Sequence, residues 1–418
     1  MMRRLRFLEE AQWWPRARIE EERERRLREV VQVAYREVPL YRELFERSKV
    51  RPDDIRTLCD LRRLPVVTKS MLREGYPHGT CRKTGQRTYE TSTSGSTGAN
   101  FWVSEDRRTA SGYRASFMLS LEWAGWRFGE AHLQTGITAR RNLERRVKDA
   151  IMGCHYFLAY RMEDAELDQC LDVLDRQRVR HLWGYPSSLF YLAQRARRVG
   201  FNRPLRSVVT WGDQLFPHYR EAIESAFGTQ VHDTYGCGEG IQIAAQCGTG
   251  THYHVHSLDV IVEFLDDSGE PVAEGEPGNI VLTRLHAGPM PFIRYQVGDV
   301  GVDSSSVVCP CGRGFQTMKS VVGRTADVIS TPSGNRLIVH FFTGVLEHFP
   351  EIDTFQVVQS DPGSLLLRIV PAAGYGQGSD ERIRSALIAR GADLRIDIEK
   401  VDRIPLTSGG KRRFVIRS

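Results

Sequence analysis

Five short segments carry residue types that could bind a nucleotide and its metal ion. The first is the run of serine, threonine and glycine from Thr91 to Gly98. Glycines let a backbone approach a phosphate closely, and amide and hydroxyl groups can then donate hydrogen bonds to its oxygens. A flexible linker is the alternative interpretation of such a run. The segment is not a Walker loop, because no Lys-Ser or Lys-Thr pair follows Gly98.

The second segment, from Asp233 to Gly240, comes directly after a predicted strand. An aromatic side chain such as Tyr235 can stack on a purine. The carboxylate of Glu239, four residues on, can hold Mg²⁺ beside phosphate oxygens. The alternative is a turn that ends the strand, with an incidental glutamate.

Three further segments each offer one charged group in a glycine-containing stretch. In the segment from Arg294 to Asp299, the carboxylate of Asp299 could accept both ribose hydroxyls. The segment from Gly323 to Asp327 lies where the sequence pattern changes to that of the C-terminal α+β unit. Near the C-terminus, the segment from Pro405 to Arg413 presents Lys411, a mobile positive charge suited to a reacting carboxylate and phosphate. Taken singly, each charged group could be only a solvated loop residue.

A different set of residues has the spacing of zinc ligands. The pair Cys309 and Cys311 forms a two-thiolate hairpin, and upstream lie Cys247 and three histidines, at 252, 254 and 256. Zinc prefers four nitrogen or sulfur ligands in a tetrahedron, and paired ligands from two segments meet that need. Buried free thiols beside a histidine-rich surface hairpin are the alternative.

The elements that must position these residues follow from hydrophobic periodicity. The pattern predicts helices over 17–47 (with Pro39 ending the pattern), 164–180, 187–199 and 217–227, and strands over 207–211, 230–233, 258–265 and 279–285. This alternation favours an α/β fold of layered sheets and helices. From about residue 324, strands over 355–358, 365–370 and 394–401 and a helix over 380–390 predict a small α+β domain.

Length and composition limit the class of protein. The 418 residues fit one large domain and one small domain, and a hydrophobic fraction of 41% is ordinary for a globular protein. The net charge of +6 is carried mostly by arginine, and much of it lies near the start. There arginines are interleaved with glutamates, which indicates a solvated helix and no nucleic-acid arm. We find no signal peptide and no membrane span, and eight scattered cysteines suit a reducing cytoplasm.

Together and in this order, the five segments resemble the adenylate-forming superfamily of acyl-CoA synthetases, peptide-synthetase adenylation domains and luciferases. Within it, the chain looks most like the phenylacetate–CoA ligase family and its relatives in capsule and natural-product gene sets. The resemblance runs nearly end to end, and it includes the segments Val38–Arg42, Leu64–Lys69 and Gly184–Ser187. The absence of a lysine after Gly98 also suits that family.

The resemblance implies roles for individual residues. The loop of Ser92, Thr93, Ser94, Gly95, Ser96, Thr97 and Gly98 would cradle the β- and γ-phosphates of ATP. The other roles are adenine stacking for Tyr235 beside Gly236, Mg²⁺ binding for Glu239, ribose binding for Asp299 and Arg324, and bridging of the carboxylate and the α-phosphate for Lys411. A large domain, 1–322, would carry a mobile small domain, 323–418. Some relatives also hold structural zinc, which here implies Cys247, His254, Cys309 and Cys311 as ligands.

The expected activity is ATP-dependent conversion of a carboxylic acid, an aromatic one by analogy with the family, to an acyl-adenylate. Transfer to CoA would follow, with release of AMP and pyrophosphate. Candidates for the acid pocket are Trp126, Trp183, Tyr185, Trp211 and Gly236. The alternative acceptors are an amine, a hydroxyl or a carrier-protein thiol, and a homodimer is left open.

A nucleotide-binding protein with degraded activity is a further alternative. It is motivated by three departures from the family pattern, at Gly238, Val297 and Ala326. The presence of Glu239 and Lys411 at their expected positions argues against it.

Overall fold

A computed structural model gives the fold of most of the chain. It describes residues 1–94, 100–136, 142–159, 163–324, 329–332, 336–337, 342, 345–346, 348–361, 363–390, 392–405 and 415–417. The glycine-rich part of the candidate phosphate loop, from Gly95 to Gly98, lies outside the described residues, as do Ala326, Asp327 and Lys411. Within the described part, none of the helices is long and apolar enough to cross a membrane.

All five predicted helical stretches are helical, and the described residues also form helices that the sequence analysis did not predict. They are α1 (Met2–Ala11), α2 (Arg16–Glu37), α3 (Pro39–Arg47), α4 (Lys69–Glu74), α5 (Arg107–Trp123), α6 (Leu143–Ile151), α7 (Asp164–Arg176), α8 (Pro186–Val199), α9 (Pro217–Phe227) and α10 (Ser379–Ala389), with short 3₁₀ turns at Pro52–Asp54 and Cys59–Arg63. Pro39 ends the first helical run as predicted. It also begins α3, because the first position of a helix needs no amide hydrogen.

The strands extend several of the predicted stretches. They are β1 (Thr88–Ser94), β2 (Asn100–Asp106), β3 (His132–Gly136), β4 (Cys154–Leu158), β5 (His181–Gly184), β6 (Ser207–Thr210), β7 (Val231–Cys237), β8 (Ile241–Gln246), β9 (Tyr253–Val255), β10 (Val260–Leu265), β11 (Pro277–Arg284), β12 (Tyr295–Asp303), β13 (Thr317–Arg324), β14 (Ile329–Ser330), β15 (Arg336–Leu337), β16 (Ile352–Asp361), β17 (Ser364–Pro371), β18 (Arg395–Lys400) and β19 (Val415–Arg417). The predicted strand over 230–233 was too short: β7 continues to Cys237, so Tyr235 belongs to a strand.

One sheet organises the large domain. Its strand order is β10-β11-β12-β13-β9-β8-β7-β6-β5-β3-β4. The pairs from β7 to β4 are parallel, and the pairs from β7 to β10 are antiparallel. Strand β7 therefore joins two kinds of sheet. In open α/β sheets, ligands bind beyond the carboxyl ends of such parallel strands.

A separate hairpin presents the candidate phosphate loop. Strands β1 and β2 pair in antiparallel register from Thr88 opposite Asp106 to Ser94 opposite Asn100. In the sequence, residues 95–99 come between these two strands, and they lie outside the described residues. Helix α5 begins at Arg107, at the other end of β2, so one strand links the loop to the start of this helix.

Helix α2 shows how the charged N-terminal sequence is used. Its face toward the core carries Ile19, Leu27 and Val31, all at most 1% exposed. On the other side, Arg25 and Arg26 pair with Glu22 at 2.8 and 2.7 Å. These pairs confirm the predicted helix of alternating charge.

The C-terminal segment forms a sheet of its own. Its four strands run in the order β18-β17-β16-β19, and α10 connects β17 to β18. The strands β17 and β18 pair in parallel, which requires such a crossover. This arrangement confirms the predicted α/β fold class, a large α/β domain with a small α+β domain.

The fold predicts a stability effect at Arg294, a buried arginine. Its side chain is 4% exposed, donates to both oxygens of Glu263 at 3.2 and 3.0 Å, and also donates to the carbonyl of Leu64. Arg294→Met leaves the carboxylate of Glu263, which is only 14% exposed, without its hydrogen-bonded counter-charge, and we expect a loss of about 3–5 kcal/mol in the free energy of unfolding. Urea unfolding followed by circular dichroism measures it.

The matched control is Arg395→Met, because Arg395 and its partner Asp397 are 74% and 53% exposed. This variant should change the free energy of unfolding by less than about 1 kcal/mol. Equal effects of the two substitutions would contradict a special role for the buried pair.

Candidate active site

The end of β7 brings two predicted nucleotide residues together. The hydroxyl of Tyr235 donates to Asp299 Oδ2 at 2.7 Å, although β8, β9 and β13 separate β7 from β12 in the sheet. The sheet must curl strongly for this contact. Where β12 pairs with β13, Asp299 stands opposite Arg324. The backbone of Arg324, the third residue predicted to bind the nucleotide, therefore lies beside Asp299.

Glu239 is a buried carboxylate with two polar partners. It is 3% exposed, accepts a hydrogen bond from the Tyr295 hydroxyl at 2.7 Å, and lies 3.1 Å from Lys69 Nζ. Burial favours the neutral acid, but Lys69 and Tyr295 outweigh it, and the net effect lowers the pKa of Glu239. An ionised carboxylate at this place is a ligand of the kind that Mg²⁺ prefers.

Lys69 and Tyr295 are site residues to which the sequence analysis gave no role. Lys69 is the first residue of α4, and its ammonium also lies 4.8 Å from the ring centre of Phe101 in β2. The backbone of Val67 bridges to Tyr295 and fixes the two segments together. Both residues lie in segments that carry the resemblance to known ligases, Leu64–Lys69 and Arg294–Asp299. Neither segment indicates in sequence that its residue contacts Glu239.

Two glycines at the site leave no room for a side chain. A Cβ on Gly236 would lie 2.9 Å from the carbonyl oxygen of Ile241. Gly240 has a φ of +71°, and a Cβ there would lie 2.1 Å from a carboxylate oxygen of Glu105. The turn that carries Glu239 therefore depends on both of them.

The residues expected to cradle phosphate are described only in part. Ser92, Thr93 and Ser94 form the end of β1. The loop that follows, Gly95, Ser96, Thr97 and Gly98, lies outside the described residues, as does Lys411.

The candidate acid pocket is lined by aromatic residues of differing exposure. Trp183 is 4% exposed and stacks on His132 with 3.7 Å between ring centres, and Trp126 packs edge-on against it. Trp211 is half-buried and meets Phe117 of α5 edge-on at 5.5 Å. Trp183 and Trp126 therefore lie in the core, whereas Trp211 lies nearer the surface.

Tyr185 lies close to the same group. A Cβ on Gly212 would lie 2.6 Å from its ring, so the backbone at Gly212 approaches the ring face closely. Gly212 also has a φ of +81°. Burial raises the pKa of Tyr185 to about 12, so its hydroxyl stays neutral.

The structure brings all four predicted zinc ligands together. The ligand atoms of Cys247, His254, Cys309 and Cys311 all lie within 4.8 Å of one another. The thiols of Cys247 and Cys309 are 3.6 Å apart, and that of Cys311 is 3.3 Å from His254 Nε2. Four ligands about 2.3 Å from a zinc ion would be separated by about 3.8 Å, so the cluster has nearly the required size.

Chemistry and burial also suit a metal. Burial lowers the pKa of His254 to about 4, which leaves the imidazole neutral, as a ligand must be. The other two histidines point elsewhere: His252 lies 3.1 Å from Ser304 Oγ, and His256 lies 2.9 Å from Ser120 Oγ. The residues present fit a structural zinc ion with four protein ligands.

Known proteins resemble this chain over most of its length. The family described as AMP-binding enzyme matches residues 151–288, and the one described as CapK C-terminal domain matches residues 329–418. A phenylacetate-coenzyme A ligase of Thermus thermophilus is 26% identical over 372 residues, which cover 84% of this chain and 80% of that protein.

Solved structures show the same fold. A 2-hydroxyisobutyryl-CoA ligase in the postadenylation state aligns with a TM-score of 0.77 and 21% identity, covering 98% of this chain and 91% of that one. In its thioesterification state the same ligase gives 0.63 at 22% identity, with 97% and 91% coverage.

The cysteine cluster generates a prediction about metal content. Purified protein should contain about one zinc ion per chain by elemental analysis. Cys309→Ser should lower both the zinc content and the melting temperature, because structural zinc contributes directly to folding free energy.

The control is Cys59→Ser, which removes an exposed thiol outside the cluster. It should change neither quantity. A protein that is fully stable without metal would contradict the zinc assignment and leave the rest of the site untouched.

Proposed function

Because the chain belongs to the adenylate-forming superfamily and resembles its phenylacetate–CoA ligase branch, we propose that it activates a carboxylic acid with ATP and transfers the acyl group to CoA. The observation that carries the proposal is the pairing of Tyr235 with Asp299 beside the buried, ionised Glu239 at the end of β7. These groups offer an aromatic ring, a ribose acceptor and a metal ligand around one point, which is the set that an adenylate needs.

In the proposed reaction, the acid carboxylate attacks the α-phosphorus of ATP and pyrophosphate leaves. Residues 92–98 bind the β- and γ-phosphates, Tyr235 stacks on adenine, and Asp299 and Arg324 bind the ribose hydroxyls. Glu239 would hold Mg²⁺, whose charge neutralises the phosphates. Lys411 bridges the carboxylate and the α-phosphate, and the catalysis consists of positioning and charge neutralisation.

In the second half-reaction, the thiolate of CoA attacks the acyl carbon and AMP leaves. No protein nucleophile is needed. Cys237 is the thiol nearest to Glu239 in the sequence, and burial raises its pKa well above the usual value, so it remains a protonated thiol.

We assign the acid to the class of small aromatic or compact branched acids. Phe117 and Trp211, with Tyr113 stacked on Phe117 at 6.5 Å, form an aromatic group along α5. Such rings recognise apolar acids through buried area and ring contacts. The ligases that resemble this chain act on one aromatic and one branched hydroxy acid by name.

We further propose that the small domain, 323–418, changes orientation between the half-reactions. Lys411 must approach the α-phosphate for adenylation, and the acceptor thiol needs that space afterwards. The difference between TM-scores of 0.77 and 0.63 for two states of one related ligase supports such a movement. Gly323, with a φ of +139°, gives the chain freedom at the start of this segment.

The proposed activity predicts the effect of removing Lys411. With a panel of carboxylic acids, wild-type protein should catalyse ATP–pyrophosphate exchange for at least one of them. Lys411→Ala should slow this exchange by roughly 10²–10³-fold, because a charge aligned with the developing negative charge is lost.

Lys400→Ala is the control, since it removes an exposed lysine of the same small domain. It should leave exchange within a few-fold of wild type. Exchange that is independent of every acid, or unaffected by Lys411→Ala, would overturn the proposal. Exchange without CoA consumption would point to an amine, a hydroxyl or a carrier-protein thiol as the acceptor.

The proposed domain movement predicts a different effect at Ala326. Proline fixes φ and restricts the preceding residue. Ala326→Pro should therefore spare acyl-adenylate formation and slow its consumption severalfold or more. Two single-turnover experiments measure these steps separately, the second started by adding CoA.

Ala326→Ser is the matched control, because it changes the side chain and leaves the backbone free. It should slow neither step. Equal slowing of both steps by Ala326→Pro would indicate misfolding, and no slowing would place the pivot elsewhere or exclude a rotation.

A further inference from the structure

The ammonium group of Lys69 lies between two parts of the candidate active site. It is 3.1 Å from Glu239 Oε1, in the turn after β7, and 4.8 Å from the ring centre of Phe101 in β2. Phe101 stands opposite Thr93 of the predicted phosphate loop in the register of β1 and β2. Lys69 therefore connects the candidate metal ligand to the base of the loop that is expected to hold the β- and γ-phosphates.

The backbone that carries Lys69 is held in place by its neighbours. The carbonyl of Val67 accepts a hydrogen bond from the amide of Gln296 in β12 at 2.9 Å. The hydroxyl of Thr68 accepts from the amide of Met71 at 3.3 Å and so caps the start of α4. Because its backbone is fixed before any ligand binds, Lys69 loses less conformational freedom when a ligand holds its charged end.

Lys69 is much more accessible than its partner. The side chain of Lys69 is 37% exposed, whereas that of Glu239 is 3% exposed. The buried Oε1 of Glu239 also accepts from the hydroxyl of Tyr295 at 2.7 Å. An ammonium has three hydrogen-bond donors, so Lys69 can donate to Glu239 and to a ligand oxygen at the same time.

The predicted phosphate loop provides no positive charge of its own. The segment Thr91–Gly98 contains neither lysine nor arginine, and it offers only backbone amides and hydroxyl groups. Such groups can bind phosphate oxygens, but they leave the negative charge of a polyphosphate without a counter-charge. The ammonium of Lys69 is a positive charge beside this loop that can fill that role.

The use of lysine at position 69 suits a crowded phosphate site. Of the 58 lysines and arginines in the chain, only seven are lysines, and two of these are Lys69 and Lys411 at the candidate site. Lysine is a compact point charge on a flexible stem, whereas arginine is a wide planar fork. A compact charge leaves space for phosphate oxygens and a metal ion beside Glu239.

We propose that Lys69 is a further catalytic residue, which binds the β- and γ-phosphates of ATP directly and neutralises the charge that develops on the departing pyrophosphate. This step rests on the proposed function. The ion pair with Glu239 holds the ammonium where these phosphates would bind. A charge that is positioned beforehand stabilises developing negative charge without reorganisation during the reaction.

The kinetic test is ATP–pyrophosphate exchange with an acid that the wild-type protein accepts. Lys69→Met removes the charge and keeps most of the apolar stem. We expect it to raise the KM for ATP and for pyrophosphate about tenfold or more, which is the loss of a charged hydrogen bond. The KM for the acid should stay within a few-fold of wild type, because the acid carboxylate does not contact Lys69 in this proposal.

A second background separates direct phosphate binding from an effect that acts through Glu239. Glu239→Gln removes both the candidate metal ligand and the ion-pair partner of Lys69. Adding Lys69→Met to this variant can therefore remove only a contact with the nucleotide, and it leaves no buried carboxylate unpaired. Calorimetric titration should show that the double variant binds ATP about tenfold more weakly than Glu239→Gln alone, with the affinity for AMP unchanged.

Lys83→Met is the matched control in each background, because it removes an exposed lysine of the same N-terminal region. It should change neither the affinity for ATP nor that for AMP. Equal ATP affinities of Glu239→Gln and the double variant would show that Lys69 acts only through Glu239 and would overturn the proposal. Equal weakening of ATP and AMP would also overturn it, because AMP lacks the phosphates in question.

The titrations need no acid, so this proposal and the proposed function can fail separately. If no acid supports exchange but ATP binding depends on Lys69 as expected, the phosphate role is supported and acid activation is wrong. If exchange depends on an acid and Lys69→Met leaves it unchanged, acid activation is supported and the role of Lys69 is wrong.

Discussion

A carboxylate that is only 3% exposed can remain ionised only where positive charge and hydrogen-bond donors surround it. Lys69 from α4 and Tyr295 from β12 provide that charge and that hydrogen bond to Glu239. Removing one partner from such a buried group costs far more than the pair itself contributes. The position of the N-terminal segment against the sheet is therefore tied to the chemistry at the end of β7.

The neighbours of Tyr295 and Glu239 in the sequence also contact buried charged groups. Arg294, beside Tyr295, is itself buried and holds Glu263 and the carbonyl of Leu64. The carbonyl of Gly240, beside Glu239, accepts from Arg284, which is 6% exposed. Buried arginines therefore hold the residues on both sides of the Glu239–Tyr295 contact, Gly240 and Glu263 among them.

Local sequence patterns predicted much of this fold. The helix over 217–227 was found with its bounds, because Pro217 and Gly228 mark both ends. The ligand set around His254 also comes together as expected. What the sequence could not show was the pairing of distant segments, such as Lys69 with Glu239 and Tyr235 with Asp299. Periodicity reports which face of an element is buried, and it carries no information about which element covers it.

The length of β7 was underestimated for a related reason. Tyr235-Gly236-Cys237 contains a glycine and reads as a turn, yet β8 pairs with it through a register shift between Tyr235 and Gly236. Such irregular pairing lets a strand continue through a residue that propensity disfavours. The strand end that carries the candidate site is thus the part that local rules describe least well.

The N-terminal helices contact segments that are synthesised much later, and this affects folding during translation. Arg4 pairs with Asp259, Tyr41 donates to Pro291, and Leu64 accepts from Arg294, across 255, 250 and 230 residues. At about 5–20 residues per second, a ribosome needs more than roughly ten seconds to supply the partners of a helix already synthesised. During that interval the apolar faces of α1 to α3 are without their final cover, and such delayed long-range pairing slows folding. Slower translation would prolong this exposed interval, so expression yield should respond to the rate of elongation as well as to the stability of the finished fold.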